Sequence, residues 1–329
     1  MARGASRVAG TARRARGHAA RHRRRPAAVP AEGAGGGGAA LAAGAPTTAQ
    51  AEAGFAAEDA AGIPIDAPNR NYKDRFHKPE LIYALSDPFR ALCGFRPVAE
   101  TREVLASVAG DERIAPLWER LRTDADLRPV FEWLITRGEG VDDLVAALVE
   151  SSAVADDVSW DTVRRLSEFY PGDPGIAISL LLHTALLSPG EVLYLPAGNI
   201  HAYLDGLGIE LMASSDNVLR GGLTPKHVDV PELRTVLDFA PRPIPYLRPE
   251  EPEPGVRVFR PDVPDFVLTV VDGVDAEIPL DGPAIVLCVA GETAIAGGPA
   301  LARGHAAYLS EEAVLRLSGD GLAFIASGS

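Results

Sequence analysis

Apolar positions along the chain follow two different periods, and the change falls at Pro189-Gly190. Before it, residues 97–187 read as helices: Val163, Leu166 and Tyr170 recur at helical spacing behind Ser159, which suits an N-cap. Pro171-Gly172-Asp173-Pro174-Gly175 ends that helix. Residues 47–61 also read as a helix, broken by Gly62-Ile63-Pro64, and an extended stretch from Asn71 to Glu80 leads into the apolar run Leu81 to Leu85. After Pro189-Gly190 the apolar runs are short and β-branched: Val192 to Leu195, Ile209 to Ala213, Val256 to Phe259, Phe266 to Val271 and Ala284 to Val289. Many short strands divided by Gly, Pro and Asp turns predict a sandwich or jelly roll, not a parallel sheet. The fold class expected is therefore mainly β with a helical block inserted near its middle. The spacing Gly190-x5-Pro196-x-Gly198-x2-His201 also returns as Gly304-x5-Ser310-x-Glu312-x2-Leu315, without the Pro, the second Gly and the His. Such an echo fits two related β units, one of them degenerate.

Composition adjusts this picture at the N-terminus. Residues 1–45 are almost wholly Arg, Ala, Gly, Pro and His, with neither period, and are expected to be a disordered basic tail. An Arg-rich presequence is a second reading and a nucleic-acid-binding arm a third. The net charge is −13, yet residues 1–25 hold nine arginines and no acid, which leaves −22 on the rest. That balance excludes general nucleic-acid affinity for the body of the chain. No apolar run approaches the roughly 20 residues of a membrane-spanning helix, and two distant cysteines, Cys93 and Cys288, fit a reducing cytoplasm.

Three stretches carry candidate chemistry. In Gly190 to Tyr203 a strand runs into a Pro/Gly turn and returns with His201 and Tyr203 on one face of the next strand. A lone strand histidine is more often a hydrogen-bonded core residue than a ligand, but this spacing is the second signature motif of the cupin jelly roll. In His77-Lys78-Pro79-Glu80 the proline keeps Lys78 extended, so Lys78 and Glu80 project to one face. The alternative is a solvated strand end. Ile209 to His227 continues a strand into a polar loop that ends in Arg220-Gly221-Gly222, with Lys226 beyond. That loop either closes a sandwich or places cations over a phosphate.

Together these stretches resemble the class I mannose-6-phosphate isomerases, which are zinc-dependent cupin enzymes. Asn71 to Leu85, Tyr170 to Gly175 and Glu191 to Val230 carry the resemblance nearly residue for residue. It implies a catalytic cupin domain from 46–96 and 188–247, a helical insertion at 97–187 and a degenerate cupin-like domain at 248–329. It implies interconversion of mannose 6-phosphate and fructose 6-phosphate in the cytoplasm, toward GDP-mannose, with one zinc ion per chain. Glu80 and His201 stand at positions of two zinc ligands and Arg220 at that of the catalytic arginine. Lys78 and Glu210 are the alternatives for the proton-transferring base; His77, Tyr203, Asp216 and Lys226 match substrate-binding positions. The implied partner is a small sugar phosphate, with neither nucleic acid nor membrane, and the oligomeric state stays open.

The chain departs from that pattern at one point. The family takes its other two zinc ligands from an upstream Gln-x-His-Pro; here Pro46 is in place, but Ala43 and Ala45 stand for the Gln and the His. Two protein donors fall short of the three that catalytic zinc sites usually have. Family-like Leu-Ser-Leu-Gln-Ala-His-Pro, written in GC-rich codons and read out of register, gives Ala-Ala-Gly-Ala-Pro, the sequence of Ala42 to Pro46. A shifted frame before Pro46 and a genuine N-terminal replacement are the two accounts. Missing upstream strands would leave exposed sheet edges. The function expected is the isomerase; the alternative is a non-catalytic cupin that binds a sugar phosphate or a partner.

Overall fold

The computed structural model describes residues 27–31, 41–155, 157–224, 228–310 and 312–328. Among these, four antiparallel sheets and a helical block stack in layers.

The first sheet orders Ala27–Ala31, Gly208–Met212, Glu80–Ala84 and Val192–Leu195. The second orders Ala42–Ala43, Ile200–Asp205, Phe89–Phe95 and Leu182–Leu187. Both faces of the first sheet are covered, which explains why every residue of Glu80–Ala84 is buried. Strand alternation divides that burial. Ile82 and Ala84 pack with Phe89, Ala91, Cys93 and Leu193 between the two sheets. Leu81 and Tyr83 face the other way, against Phe259, Phe266 and Phe324. The Tyr83 ring meets Phe324 edge-on, with centroids 4.9 Å apart.

Phe259 and Phe324 belong to, and Phe266 leads into, a six-stranded sheet running from Glu250–Glu253 to Ala306–Leu309, backed by a four-stranded sheet that includes Ala276–Pro279 and Val314–Gly319. Val256, Val286, Cys288, Leu315 and Leu317 fill the space between them. The echo seen in the sequence is a repeat of structure. Val192–Leu195 and Ile200–Asp205 are followed by Ala306–Leu309 and Val314–Gly319, at a constant offset of 114 residues.

The helical block covers the outer face of the second sheet. Val98–Leu105, Leu127–Ile135, Val141–Ser152 and Val158–Phe169 pack a shared core, with Phe131, Leu144, Trp160 and Val163 against Leu92, Ile200 and Ala202. Arg96, buried beneath it, donates from Nε and Nη2 to the Leu180 carbonyl at 2.9 and 2.6 Å. No described helix is long and apolar enough to cross a membrane. Cys93 and Cys288 are buried free thiols.

Three expectations change. Leu182–Leu187 is a strand, not the end of the helical run; it is paired from Phe89↔Leu187 to Phe95↔Leu182, and sheet pairing decides an apolar run whose periodicity is ambiguous. The helix through Val163 is capped by Asp157, whose carboxylate accepts from the Ser159 amide, so Ser159 already lies inside it. Finally, 1–45 is not structureless throughout. Ala27–Ala31 pairs with Gly208–Met212, and Ala42–Ala43 pairs with Ile200 and His201. A sheet edge accepts any extended backbone, whatever its side chains, so both edges are covered. Residues 1–26 and 32–40 lie outside the described residues.

Candidate functional site

The site lies between the first two sheets, where their facing strands replace apolar residues with polar ones. Glu80 opens its strand opposite Leu195 and Met212. Glu210 comes from the neighbouring strand, in register with Ile82. His201 and Tyr203 come from the second sheet, paired with Cys93 and Ala91. The Pro196–Asn199 turn aims His201. Gly198 takes φ +81, its amide donates to the Ala45 carbonyl at 2.9 Å, and its own carbonyl accepts from the Asp238 amide at 3.0 Å.

Glu80 is the centre of the cluster. Lys78 Nζ lies 3.1 Å from one carboxylate oxygen and His201 Nε2 lies 3.0 Å from the other. All three side chains are largely buried. Burial by itself would raise the Glu80 carboxyl, but hydrogen bonds and charge from His201 and Lys78 outweigh it and hold it at about 2. Burial likewise works against a charged His201, and its Glu80 partner prevails and raises it. His201 Nδ1 faces the Asn199 carbonyl at 3.1 Å. Both ring nitrogens therefore point at acceptors, an arrangement the doubly protonated imidazolium satisfies.

Glu210 behaves in the opposite way: burial, and then the charge of Glu80, push its carboxyl up to about 7. Beside it the Tyr203 hydroxyl is raised by burial and by the Glu210 and Glu80 charges. That hydroxyl is buried without a well-formed hydrogen bond, as is Asn199 Oδ1 next to the same turn. Two carboxyls driven apart, an ammonium and a buried phenol suit proton transfer on a polar ligand.

Lys78 reaches this cluster because the segment before it is pinned. Asn217, fully buried, accepts from the Lys73 and Asp74 amides at 2.7 and 3.2 Å and donates to the Asp74 and Phe76 carbonyls at 3.0 and 2.8 Å. Asp74 in turn accepts from the Ser215 hydroxyl and the Asp216 amide. Sequence reasoning passed over Asp74, Ser215 and Asn217; the matched polar stretches Asn71 to Glu80 and Ser214 to Asn217 were the available signal.

The remaining predicted residues are placed unevenly. His77 turns to Asp265, with Nε2 2.8 Å from its carboxylate, and so ties this segment to the C-terminal sheets. Asp216 is exposed, and its backbone amide makes the contact noted above. Arg220 makes no ion pair with a described residue. Its loop is held by paired hydrogen bonds between Leu41 and Gly221-Gly222 and by the Asp173 carboxylate, which accepts from the Leu223 amide. Leu41 leads into Ala42–Ala43, so the Arg220 backbone borders the same edge as His201. Lys226 lies outside the described residues.

Of the donors expected for zinc, the structure brings together Glu80 and His201. Among the described residues no group of three His, Cys, Asp or Glu side chains is arranged to hold a metal ion. The two donors that do meet, Glu80 and His201, are hydrogen-bonded to each other. Positions 43 and 45, where further donors were expected, are alanines on the backbone beside them.

Comparison with known proteins bears on the whole arrangement. Residues 46–98 match the family described as phosphomannose isomerase type I, catalytic domain. The chain is 37% identical over 284 residues to the mannose-6-phosphate isomerase of Salmonella typhimurium, covering 84% of this chain and 72% of that one. It is 40% identical to the Escherichia coli enzyme of that name, covering 76% and 65%. It therefore spans about two thirds of the length of these relatives. Among solved structures it is similar to a zinc-bound mannose 6-phosphate isomerase, with a TM-score of 0.81 and 35% identity over 89% of this chain and 76% of that one. A lysine-to-alanine variant of the Salmonella typhimurium phosphomannose isomerase aligns over the same shares with a TM-score of 0.82 and 35% identity.

Proposed function

Since this chain belongs to the type I phosphomannose isomerases, we propose that it interconverts D-mannose 6-phosphate and D-fructose 6-phosphate. The observation that carries the reading is the inward-facing cluster of Lys78, Glu80, His201, Tyr203 and Glu210 at one end of an otherwise apolar sandwich. Aldose and ketose differ by one hydrogen on carbon and one on oxygen. A base takes the proton from C2, a cis-enediol forms, and the proton is returned at C1 while the hydroxyl proton passes from O2 to O1. Glu210, buried and beside the Tyr203 hydroxyl, and Lys78 are the two candidates for that base. The Lys78 ammonium, the His201 ring N–H and the Tyr203 hydroxyl would face the charge developing on O1 and O2. Arg220, which makes no ion pair with a described residue, is assigned to the phosphate end together with Lys226. We place the reaction in the cytoplasm, as a supply of mannose phosphate toward GDP-mannose; two buried, unpaired cysteines agree with a reducing compartment.

A coupled assay for fructose 6-phosphate tests this directly. Turnover is expected, with Glu210→Gln lowering kcat by about 100-fold or more while mannose 6-phosphate binding, measured by calorimetry, persists. Binding without any turnover in the unaltered chain would sink the isomerase reading. It would favour the second one, a non-catalytic sugar-phosphate binder, which the alanines at 43 and 45 support.

A further inference from the structure

The C-terminal sheets enclose a cavity of about 570 Å³ that no residue of the catalytic cluster lines. Small-molecule sites span roughly 300–1,000 Å³. The repeat locates it. Ile278 pairs with Leu315 as Ala42 pairs with His201, so Ala276–Pro279 takes in the second copy the place of Ala42–Ala43 in the first. That strand and the residues after it, to Asp281, form one wall of the cavity. The cavity therefore opens at the end of the C-terminal sandwich that corresponds to the end carrying His201. We propose that it binds a small aliphatic amino alcohol, with the hydroxyl inside, the hydrocarbon along the walls and the ammonium at the rim.

Each part of that ligand answers to named residues. Thr269 and Ser327 line the cavity, and both are more than nine-tenths buried. Strand alternation turns them inward. Val271 and Ile325, two residues away on their respective strands, belong to the core between the two C-terminal sheets, whereas Leu268, Val270 and Ala326 pack on the opposite face. Register sets Val267 opposite Ser327 and Thr269 opposite Ile325, so the two hydroxyl-bearing residues are diagonal neighbours, roughly 7–8 Å apart. Neither hydroxyl bonds a described residue. Buried hydroxyls are nearly always partnered, and valine and alanine would fill the same space without a desolvation cost. Two open hydroxyls on one cavity wall suit a hydrogen-bonding guest. Val256, Val267, Ile278 and Leu280 supply apolar lining for its hydrocarbon. At the rim stand Glu250, Glu253, Glu277 and Asp281. Arg260 Nε lies 3.5 Å from Glu250 and Arg316 Nε lies 2.7 Å from Glu277. Four carboxylates against two guanidiniums leave the rim negative, which favours an ammonium and repels a sugar phosphate.

The test is titration calorimetry of the full chain. Aminohexanol, with its amine and hydroxyl at opposite ends of the carbon chain, is expected to bind saturably. Hexylamine, which lacks the hydroxyl, should bind about 2- to 10-fold more weakly, the worth of one net hydrogen bond. Hydroxyhexanoate, which carries a carboxylate for the ammonium, should bind at least about tenfold more weakly. Thr269→Val with Ser327→Ala should erase the preference for aminohexanol over hexylamine. Because it removes unpartnered buried hydroxyls, this double change should leave the melting temperature of the free chain unchanged or higher. The proposal is overturned by absence of saturable aminohexanol binding, by equal affinity for hydroxyhexanoate, or by a hydroxyl preference that survives the double change. A lower melting temperature, or failure of the variant to fold, would show that the hydroxyls serve the fold and would overturn it too.

Discussion

Replacing Asn217 with alanine isolates what holds Lys78 in position. Its side chain is fully buried, accepts two backbone amides of the Lys73–Asp74 segment and donates to the Asp74 and Phe76 carbonyls. Four hydrogen-bonding positions at roughly 0.5–1.5 kcal/mol net each, with buried backbone groups left unpaired, predict a loss of about 2–6 kcal/mol. The same change loosens the segment that carries Lys78, so affinity for mannose 6-phosphate should fall as well. Urea unfolding followed by far-UV circular dichroism gives the first quantity and calorimetry the second. A loss below about 0.5 kcal/mol, within the range of ordinary surface substitutions, would refute the pinning role. Asn217→Asp sharpens the test. It keeps the shape and the two accepted bonds but sets a second carboxylate 3.2 Å from that of Asp74. The folded state then raises the new carboxyl above its unfolded value. The deficit of this variant should therefore be full at neutral pH and shrink as pH falls toward about 4. A deficit that does not vary with pH would mean that the two carboxylates do not face each other.

Three further outcomes are expected. Gly198→Ala forces an L-residue to φ +81 with its Cβ 3.1 Å from the Val236 carbonyl oxygen, so stability should drop by about 1–2 kcal/mol; an unchanged melting temperature would contradict that geometry. Phe131→Ala removes a buried ring packed edge-on against Phe95 and Phe239 and should cost about 3–5 kcal/mol. Its unfolding is conveniently followed by tryptophan fluorescence, since Trp118, Trp133 and Trp160 all lie in the helical block. Burial pushes the Cys93 thiol up to about 12, so it stays protonated at pH 8 and should resist a thiol reagent until urea is added; prompt labelling of the folded chain at Cys93 would contradict its burial.

What the sequence made legible follows from how local each feature is. The spacing that ends in His201 encodes a strand, a tight turn and a strand within a dozen residues, and the fold sets His201 against Glu80. Lys78 and Glu80 share a face because proline keeps that stretch extended, again a local cause. The helix capped by Thr47 and Gln50 was equally visible. Pairing across the chain was not. Asn217 holds Asp74 through contacts about 143 residues apart, and nothing at either position announces the other. Leu182–Leu187 became a strand only because Phe89–Phe95 offered it a partner. His77 looked like a site residue beside Lys78, but Asp265 from the C-terminal sheets claims it.

The repeat at 114 residues gives the molecule an internal reference. The positions equivalent to His201 and Tyr203 in the second copy are Leu315 and Leu317, both buried in the C-terminal core. One frame was thus kept twice, once holding a buried imidazole and phenol and once filled with hydrocarbon. A filled frame carries none of the desolvation cost of a polar interior. The C-terminal sheets are therefore the ballast of the chain, and their amide protons should be the last to exchange with solvent when the site-bearing sheets open.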